Sequence, residues 1–215
     1  MVIGTHDEDG DGVPDSMDNC PAIANLDQAA VPSAEAVGTA CDPRPGILDT
    51  GDHIAAFFSF AENARPNGIM GGEVFDMDRA TLGSGELATQ AQHTPTRVSI
   101  IASTPTFPTE NEFIEIKMDA YWCRLEDCAA AGSEQCVRAR GPLTTTEVMI
   151  NASPAFRLEL ELLGNQLRCR YVTSTEETSV MVDALPATDR VRIRPNQVTL
   201  RIDSLTIYEV PPGAG

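Results

Sequence analysis

The residues whose types and spacing most clearly suit a chemical role are a set of closely spaced carboxylates near the start of the chain. In a twelve-residue calcium loop, alternate side chains supply oxygen ligands, a glycine at position 6 permits a sharp turn, and position 7 offers its carbonyl. Five acidic side chains at this spacing repel one another by roughly 1 kcal/mol per close pair even in water, so the loop should open without a divalent cation. The spacing therefore predicts a calcium site. Its members, at positions 1, 3, 5, 6, 7, 9 and 12, are Asp7, Asp9, Asp11, Gly12, Val13, Asp15 and Asp18.

The residues around this loop do not fit an EF-hand, in which a helix follows the loop. Asn19-Cys20-Pro21 stands where that helix would begin, and Pro14 occupies the eighth position, where a paired EF-hand loop needs a backbone N–H. We therefore expect a calcium loop without flanking helices.

The stretch DEDGDGVPDSMDNCPAIANLDQ resembles the thrombospondin type 3 repeat, whose pattern is D-x-D-x-D-G-x-x-D-x-x-D-N-C-P-x-x-x-N-x-x-Q. The resemblance implies a helix-free segment of a secreted protein, wrapped around calcium, with cysteines joined between half-repeats. The second half-repeat departs from the pattern, because it keeps Gly38, Cys41 and Asp42 but only Glu35 of the acidic ladder. We expect one bound calcium ion, or two that share the first loop. Cys20 paired with Cys41 would stabilise the fold by roughly 3 kcal/mol.

The four later cysteines are expected to form two more disulfides, which indicates an oxidising, extracellular or cell-surface location. Three pairings are open to them. The simplest pins a loop after residue 122 to the sheet by joining Cys136 to Cys169, with Cys123 joined to Cys128. A zinc site built from the four thiolates is the alternative.

Charge limits the partners that the chain can have. The 215 residues include 15 Lys+Arg and 32 Asp+Glu, a net charge of −17, and the first 52 residues account for −10 of it without one aromatic residue. Such an excess repels phosphate backbones and anionic lipids, so we expect neither nucleic acid nor a membrane as a partner. Apolar runs fall well short of the roughly 20 residues that span a bilayer. The first ten residues lack the pattern of a secretory signal, and we expect a mature portion of a secreted protein.

Beyond the proline-rich CDPRPG, alternating patterns predict strands. FRLELELL over 156–163 places leucines on one face and charges on the other, and QLRCRYV over 166–172 follows across a Gly164-Asn165 hairpin turn. With no convincing helix, the pattern predicts an all-β, antiparallel sandwich or barrel. The remaining predicted strands are 54–60, 73–77, 86–92, 97–102, 112–122, 144–150, 178–183, 189–194 and 197–210, the last divided in two.

FIEIKMDAYW and the closing NQVTLRIDSLTIYEV resemble strands of the concanavalin A-like, laminin-G-like jelly roll. The order agrees, since thrombospondins also place type 3 repeats directly before a lectin-like sandwich. The resemblance implies a β-sandwich (lectin-like jelly roll) preceded by a helix-poor calcium-binding repeat. We expect the repeat at 1–45, the sandwich at 46–211 and a tail at 212–215.

Catalytic motifs such as G-x-S-x-G, a P-loop or H-E-x-x-H are absent from the sequence. The best acid and base candidates are Glu159 with Glu161, and Glu115 with Asp119 around Lys117. Residues i and i+2 on a strand lie roughly 6–7 Å apart, within reach of glycosidase chemistry. Charges on the solvated outer face of a sheet explain the same pattern. We therefore expect no catalysis.

Aromatic platforms for sugars are few. Trp122 and Tyr171 share the alternation of the core residues, so we expect them to pack in the core rather than bind a sugar.

Asp76 and Asp78 are a further candidate for a second calcium site. Without metal-ligand spacing, His6 is expected to be a surface or turn residue.

The leading hypothesis is a calcium-binding, non-enzymatic extracellular module for adhesion or recognition, with a carbohydrate or a surface protein as its ligand. The alternatives are a calcium-stabilised spacer or anchor of a larger surface protein, and a polysaccharide-cleaving enzyme of lectin-like fold.

Overall fold

A computed structural model describes residues 6–30, 37–42, 53–60, 65–72, 74–76, 79–106, 108–109, 111–128, 134–184 and 188–210. These residues contain strands and no helix, which confirms the all-β prediction, and none of them forms a helix able to cross a membrane. The strands are β1 His53–Ser59, β2 Ile69–Gly71, β3 Val74–Asp76, β4 Arg79–Leu82, β5 Leu87–Thr89, β6 Pro95–Ser103, β7 Phe113–Met118, β8 Tyr121–Asp127, β9 Gln135–Arg140, β10 Thr145–Met149, β11 Ala155–Leu163, β12 Gln166–Val172, β13 Glu177–Asp183, β14 Arg192–Asn196 and β15 Leu200–Glu209.

The strands form two antiparallel sheets that face each other as a sandwich. Sheet 1 has the order β13-β12-β11-β6-β15-β4-β3, with β1 also paired to β15. Sheet 2 has the order β10-β9-β8-β7-β14-β5-β2. The predicted hairpin between β11 and β12 is present, and Gly164 takes the left-handed conformation (φ 61°) that its turn requires.

Alternate residues of each strand fill the space between the sheets. Leu158 pairs with Ile100, which in turn pairs with Leu205, and all three side chains are fully buried. Ile114 and Ile116 project from β7 of sheet 2 into the same cluster. Burial of each such side chain is worth about 1.5–3 kcal/mol, so this layer is the main source of stability.

Two strand predictions are wrong in their extent. The predicted strand 112–122 is a hairpin of β7 and β8, because the chain turns at Asp119, which has a φ of 44°. The predicted pair of strands in 197–210 is the single strand β15, whose pairing with β6 shifts register between Ile202 and Ser204. The strands β2, β4 and β9 were not predicted at all, since the first two have only three and four residues.

The disulfide pairing expected for the four later cysteines is wrong. Cys123 lies inside β8 on the core face, and it bonds Cys169 of β12, which links the two sheets. Cys128 bonds Cys136 and closes the connection between β8 and β9. The pairing was predicted wrongly because the predicted strand 112–122 stopped one residue before Cys123, which was therefore assigned to a loop. The described residues contain no free cysteine, which also removes the thiolate zinc site.

The N-terminal segment packs on the outer face of sheet 1. Cys20 and Cys41 form the expected disulfide, with Cα atoms 5.6 Å apart, and together with Val37 they pack against Tyr208 of β15. The guanidinium of Arg97 on β6 donates a hydrogen bond to the carbonyl of Cys41. Apolar packing and a buried cation therefore fix the segment to the sandwich.

Candidate calcium site

The described part of the predicted calcium loop brings three carboxylates together. One oxygen of each of Asp7, Asp9 and Asp11 lies within 4.8 Å of the others. Two glycines allow this convergence, because Gly10 and Gly12 adopt φ values of 75° and 95°. Their backbone N–H groups donate to the two oxygens of Asp7, at 2.9 Å and 2.8 Å. The chain thus turns around Asp7, as the spacing predicts.

Backbone donors also hold the next two carboxylates. The N–H of Asp11 donates to Asp9 Oδ1 (3.1 Å), and the N–H of Val13 donates to Asp11 Oδ1 (2.8 Å). The second oxygen of Asp11 accepts from the N–H of Asn25, fourteen residues further along (2.8 Å). These bonds preorganise the carboxylates without neutralising their charge.

Two oxygens remain without a partner. Asp9 Oδ2 and Asp18 Oδ2 are buried and accept no hydrogen bond from the described residues. Burial, together with the neighbouring carboxylates of Asp11, Asp18 and Asp7, raises the pKa of Asp9 to about 6, against the hydrogen bond from the Asp11 N–H. An unpartnered buried carboxylate is costly, and a hard cation with oxygen ligands removes that cost. The residues present therefore fit a calcium ion.

The residues after the loop position Asp18. Its Oδ1 accepts from the N–H of Cys20 and from Gln28 Nε2, both at 2.8 Å. Gln28 in turn accepts from the N–H of Asn19 through its own Oε1, at 2.9 Å. The Asn, Cys and Gln of the repeat pattern thus hold the carboxylate at position 12, the last of the loop.

The structure directs Asp15 away from the other carboxylates. Its Oδ2 lies 2.9 Å from His6 Nδ1, and its Oδ1 accepts from the N–H of Glu8 at 2.9 Å. Ser59 of β1 donates to Glu8 (3.2 Å), and its Oγ lies 3.3 Å from His6 Nδ1. Burial raises the pKa of Glu8 to about 7, although His6 and Ser59 oppose the rise. The sequence analysis expected His6 only as a surface or turn residue and did not single out Glu8, because Ser59, which joins them to the sandwich, is distant in the chain.

Three of the four carboxylates considered for catalysis are covered by arginines, whereas Asp119 is exposed. Glu159 and Glu161 on the outer face of sheet 1 are 0% exposed, so the expectation of a solvated face is wrong there. Arg170 Nη1 lies 2.6 Å from Glu159 and 3.3 Å from Glu161. Glu115 on sheet 2 is held by Arg124 at 2.7 Å. Neutralised and buried carboxylates of this kind are poorly placed to meet a substrate.

The two aromatic candidates pack as expected. Tyr171 is fully buried and stacks on Phe156, with 5.7 Å between ring centroids. Trp122 is 8% exposed, and the guanidinium of Arg124 covers its ring at 4.2 Å. The candidate at Asp76 and Asp78 lies outside the described side chains, as do Glu35 and the tail at 212–215.

Comparisons with known proteins identify a repeat near the start of the chain. Residues 5–28 match the family model of the thrombospondin type 3 repeat, a repeat type that indicates calcium binding. No curated protein matches the chain in sequence.

Three solved structures resemble the fold. A CBM2 module of Lactobacillus casei BL23 phage J-1 evolved Dit has a TM-score of 0.56 and 8% identity over 74% of this chain and 96% of its own. A legume lectin-like domain from Entamoeba histolytica has a TM-score of 0.53 and 8% identity, over 77% and 99%. A glycosyl hydrolase family protein from Mycobacterium fortuitum has a TM-score of 0.50 and 8% identity, over 72% and 99%. At these identities the likeness shows the fold alone.

The sandwich is thus a lectin-like jelly roll. In the segment before it, residues 5–28 match the thrombospondin type 3 repeat, a repeat type that indicates calcium binding.

Proposed function

We propose that this protein is a non-enzymatic extracellular recognition module whose type 3 repeat is folded by calcium and docked on a lectin-like sandwich. The observation that carries the proposal is the convergence of Asp7, Asp9 and Asp11, together with two buried carboxylate oxygens that have no partner among the described residues. A cation at that position would join the turn of the loop to the residues after it.

The calcium ligands that we assign are the carboxylates of Asp7, Asp9, Asp11 and Asp18, with the carbonyl of Val13. The Asp15 carboxylate can join these ligands only if its hydrogen bonds with His6 and with the N–H of Glu8 break. We therefore assign one calcium ion to the loop. A second ion, if bound, would take Asp15 as a ligand. Bound calcium supplies positive charge, and the chain's own backbone N–H groups orient the carboxylates around it.

The domain limits that we propose are the repeat at 1–45, the sandwich at 46–211 and a tail at 212–215. The disulfide between Cys20 and Cys41 and the packing on Tyr208 support a repeat that ends just before β1. Three disulfides support a secreted or cell-surface location, because such bonds persist in oxidising compartments.

Recognition, rather than cleavage, is favoured by the burial of three of the four acid and base candidates, Glu115, Glu159 and Glu161. Glu159 and Glu161 each face more than one arginine and have no exposed surface, whereas a glycosidase pair must reach the scissile bond. The ligand class that we assign to the module is carbohydrate.

Thermal unfolding with calcium and with EDTA tests the calcium assignment. We expect EDTA to lower the melting temperature of the wild type and to have little effect on Asp9→Asn, which loses a ligand. Asp27→Asn is the matched control, because Asp27 is exposed and binds only the N–H of Ala29 in the described structure. A melting temperature that EDTA leaves unchanged in the wild type would exclude the calcium assignment.

A glycan array tests the recognition role. Reproducible binding of a glycan supports the module as a receptor. If no glycan on the array binds while calcium binding is intact, the result would instead favour a structural spacer.

A further inference from the structure

The outer face of sheet 2 collects basic side chains in rows that cross the strands. Pairing of β14, β7, β8, β9 and β10 places residues of these five strands side by side, and those that alternate with the core residues face outward. The first row is Arg192, Lys117, Trp122, Arg140 and Thr145, and the second row is Arg194, Glu115, Arg124, Arg138 and Glu147.

This face is basic in a protein that is strongly acidic. The two rows hold six of the 15 Lys and Arg residues of a chain whose net charge is −17, against two glutamates in the same rows. Positive charges concentrated on one sheet face make the electrostatic potential there positive, because charges farther away than about 8 Å are screened at physiological salt.

The second row neutralises itself. Glu115 accepts from Arg124 at 2.7 Å and from Arg194 at 3.2 Å, and Arg138 pairs with Glu147 and with Glu126 of the neighbouring row. Little charge is left on this row to attract a ligand.

The first row does not neutralise itself. The side chains of Lys117 and Arg140 make no ion pair or hydrogen bond with any residue that the structure describes; Arg140 is exposed and Lys117 is partly exposed. Arg192, at the end of the row, is bound to Asp189 at 2.7 Å. Trp122 stands between the two unpaired cations in register, and Arg124 of the second row covers its ring.

We propose that the first row of sheet 2 binds an acidic polysaccharide through the carboxylates of its uronate sugars, with Lys117 and Arg140 as the pairing cations. This inference rests on the proposed recognition role. The two residues lie on β7 and β9 with β8 between them, so their Cα atoms are about 10 Å apart, a spacing that an extended chain can bridge. Charge-assisted hydrogen bonds from ammonium and guanidinium groups are the strong contacts available to carboxylates.

Other ligands fit this face less well. A neutral glycan needs an exposed aromatic ring to stack on, and Trp122 is 8% exposed beneath Arg124. Double-stranded DNA carries one charge per roughly 1.7 Å of its axis, which the acidic bulk of this protein repels more strongly than a polymer with at most one carboxylate per sugar.

Titration calorimetry with short oligogalacturonates, in calcium and at two salt concentrations, tests the proposal. We expect binding that weakens with salt and that is about tenfold weaker in Lys117→Gln/Arg140→Gln, since two exposed ion pairs are removed. Because neither side chain has a described partner, this variant should keep the melting temperature of the wild type. Arg201→Gln removes an exposed cation from sheet 1 and should bind as the wild type does.

Three outcomes would overturn the proposal. The first is unchanged oligogalacturonate binding in Lys117→Gln/Arg140→Gln. The second is tighter binding of neutral galacto-oligosaccharides of the same length, and this second outcome would leave the recognition role intact. The third is tighter binding of a single-stranded oligonucleotide. A failure of the calcium assignment is separate, because it appears as a melting temperature that EDTA does not change.

Discussion

Arg97 connects the type 3 repeat to the sandwich, and its replacement by methionine is the sharpest test of the buried charge cluster. The side chain is 4% exposed, and its Nη1 lies 3.8 Å from Glu159 and 3.7 Å from Glu161, both with no exposed surface. The guanidinium also stacks on the ring of Tyr208 at 4.4 Å and donates to the carbonyl of Cys41. Arg97→Met keeps much of the volume and removes the charge.

The loss of unfolding free energy in Arg97→Met depends on which cations still contact Glu159 and Glu161. Removing one partner of a buried ion pair costs about 3–5 kcal/mol, and Arg170 still contacts both glutamates, so we expect the lower limit, about 3 kcal/mol. For a domain of this size each kcal/mol lowers the melting temperature by about 2–4 °C, which predicts a fall of about 6–12 °C.

Urea unfolding followed by the fluorescence of Trp122, the only tryptophan, measures this loss. The control is Arg201→Met, which removes an exposed cation from the same sheet and should change the free energy of unfolding by less than about 0.5 kcal/mol. Adding Glu161→Gln to Arg97→Met should recover part of the loss, because one buried negative charge is removed. A loss below about 1 kcal/mol for Arg97→Met, or no recovery in the double variant, would refute the reasoning.

Three further predictions concern the disulfide, the core and catalysis. Cys20→Ser/Cys41→Ser should lower the free energy of unfolding by about 3 kcal/mol in calcium-containing urea titrations, and a cost near zero would show that the bridge does not constrain the repeat. Leu160→Ala should cost about 2–5 kcal/mol because the side chain is fully buried, whereas Leu143→Ala, at a position 96% exposed, should be neutral; equal effects in calorimetry would contradict the placement of the core. The wild type should release no reducing ends from polysaccharides, and release that Glu161→Gln abolishes would establish an enzyme.

The sequence predicted those features that depend on local spacing. Asp7, Asp9 and Asp11 converge because alternate side chains and two glycines close a turn within the loop itself. Strand β11 was likewise readable from the alternation of leucine with charge, and the Gly164-Asn165 turn set its pairing with β12.

The features that the sequence could not predict depend on distant contacts. Alternation placed Glu159 on the outer face correctly, but only the pairing of β6, β11 and β12 shows that arginines bury it. The hairpin at Asp119 lacks the usual Gly or Asn signal, so β8 was missed and Cys123 was assigned to a loop. Asp15 matches a ligand position, yet His6 and Glu8 bind its carboxylate.

Titration calorimetry of the calcium-free protein with calcium tests the central claim most directly. We predict binding tighter than millimolar, with one ion per chain, and its loss in Asp9→Asn but not in Asp27→Asn. Absence of any binding tighter than millimolar, in a protein whose melting temperature EDTA does not change, would contradict the account.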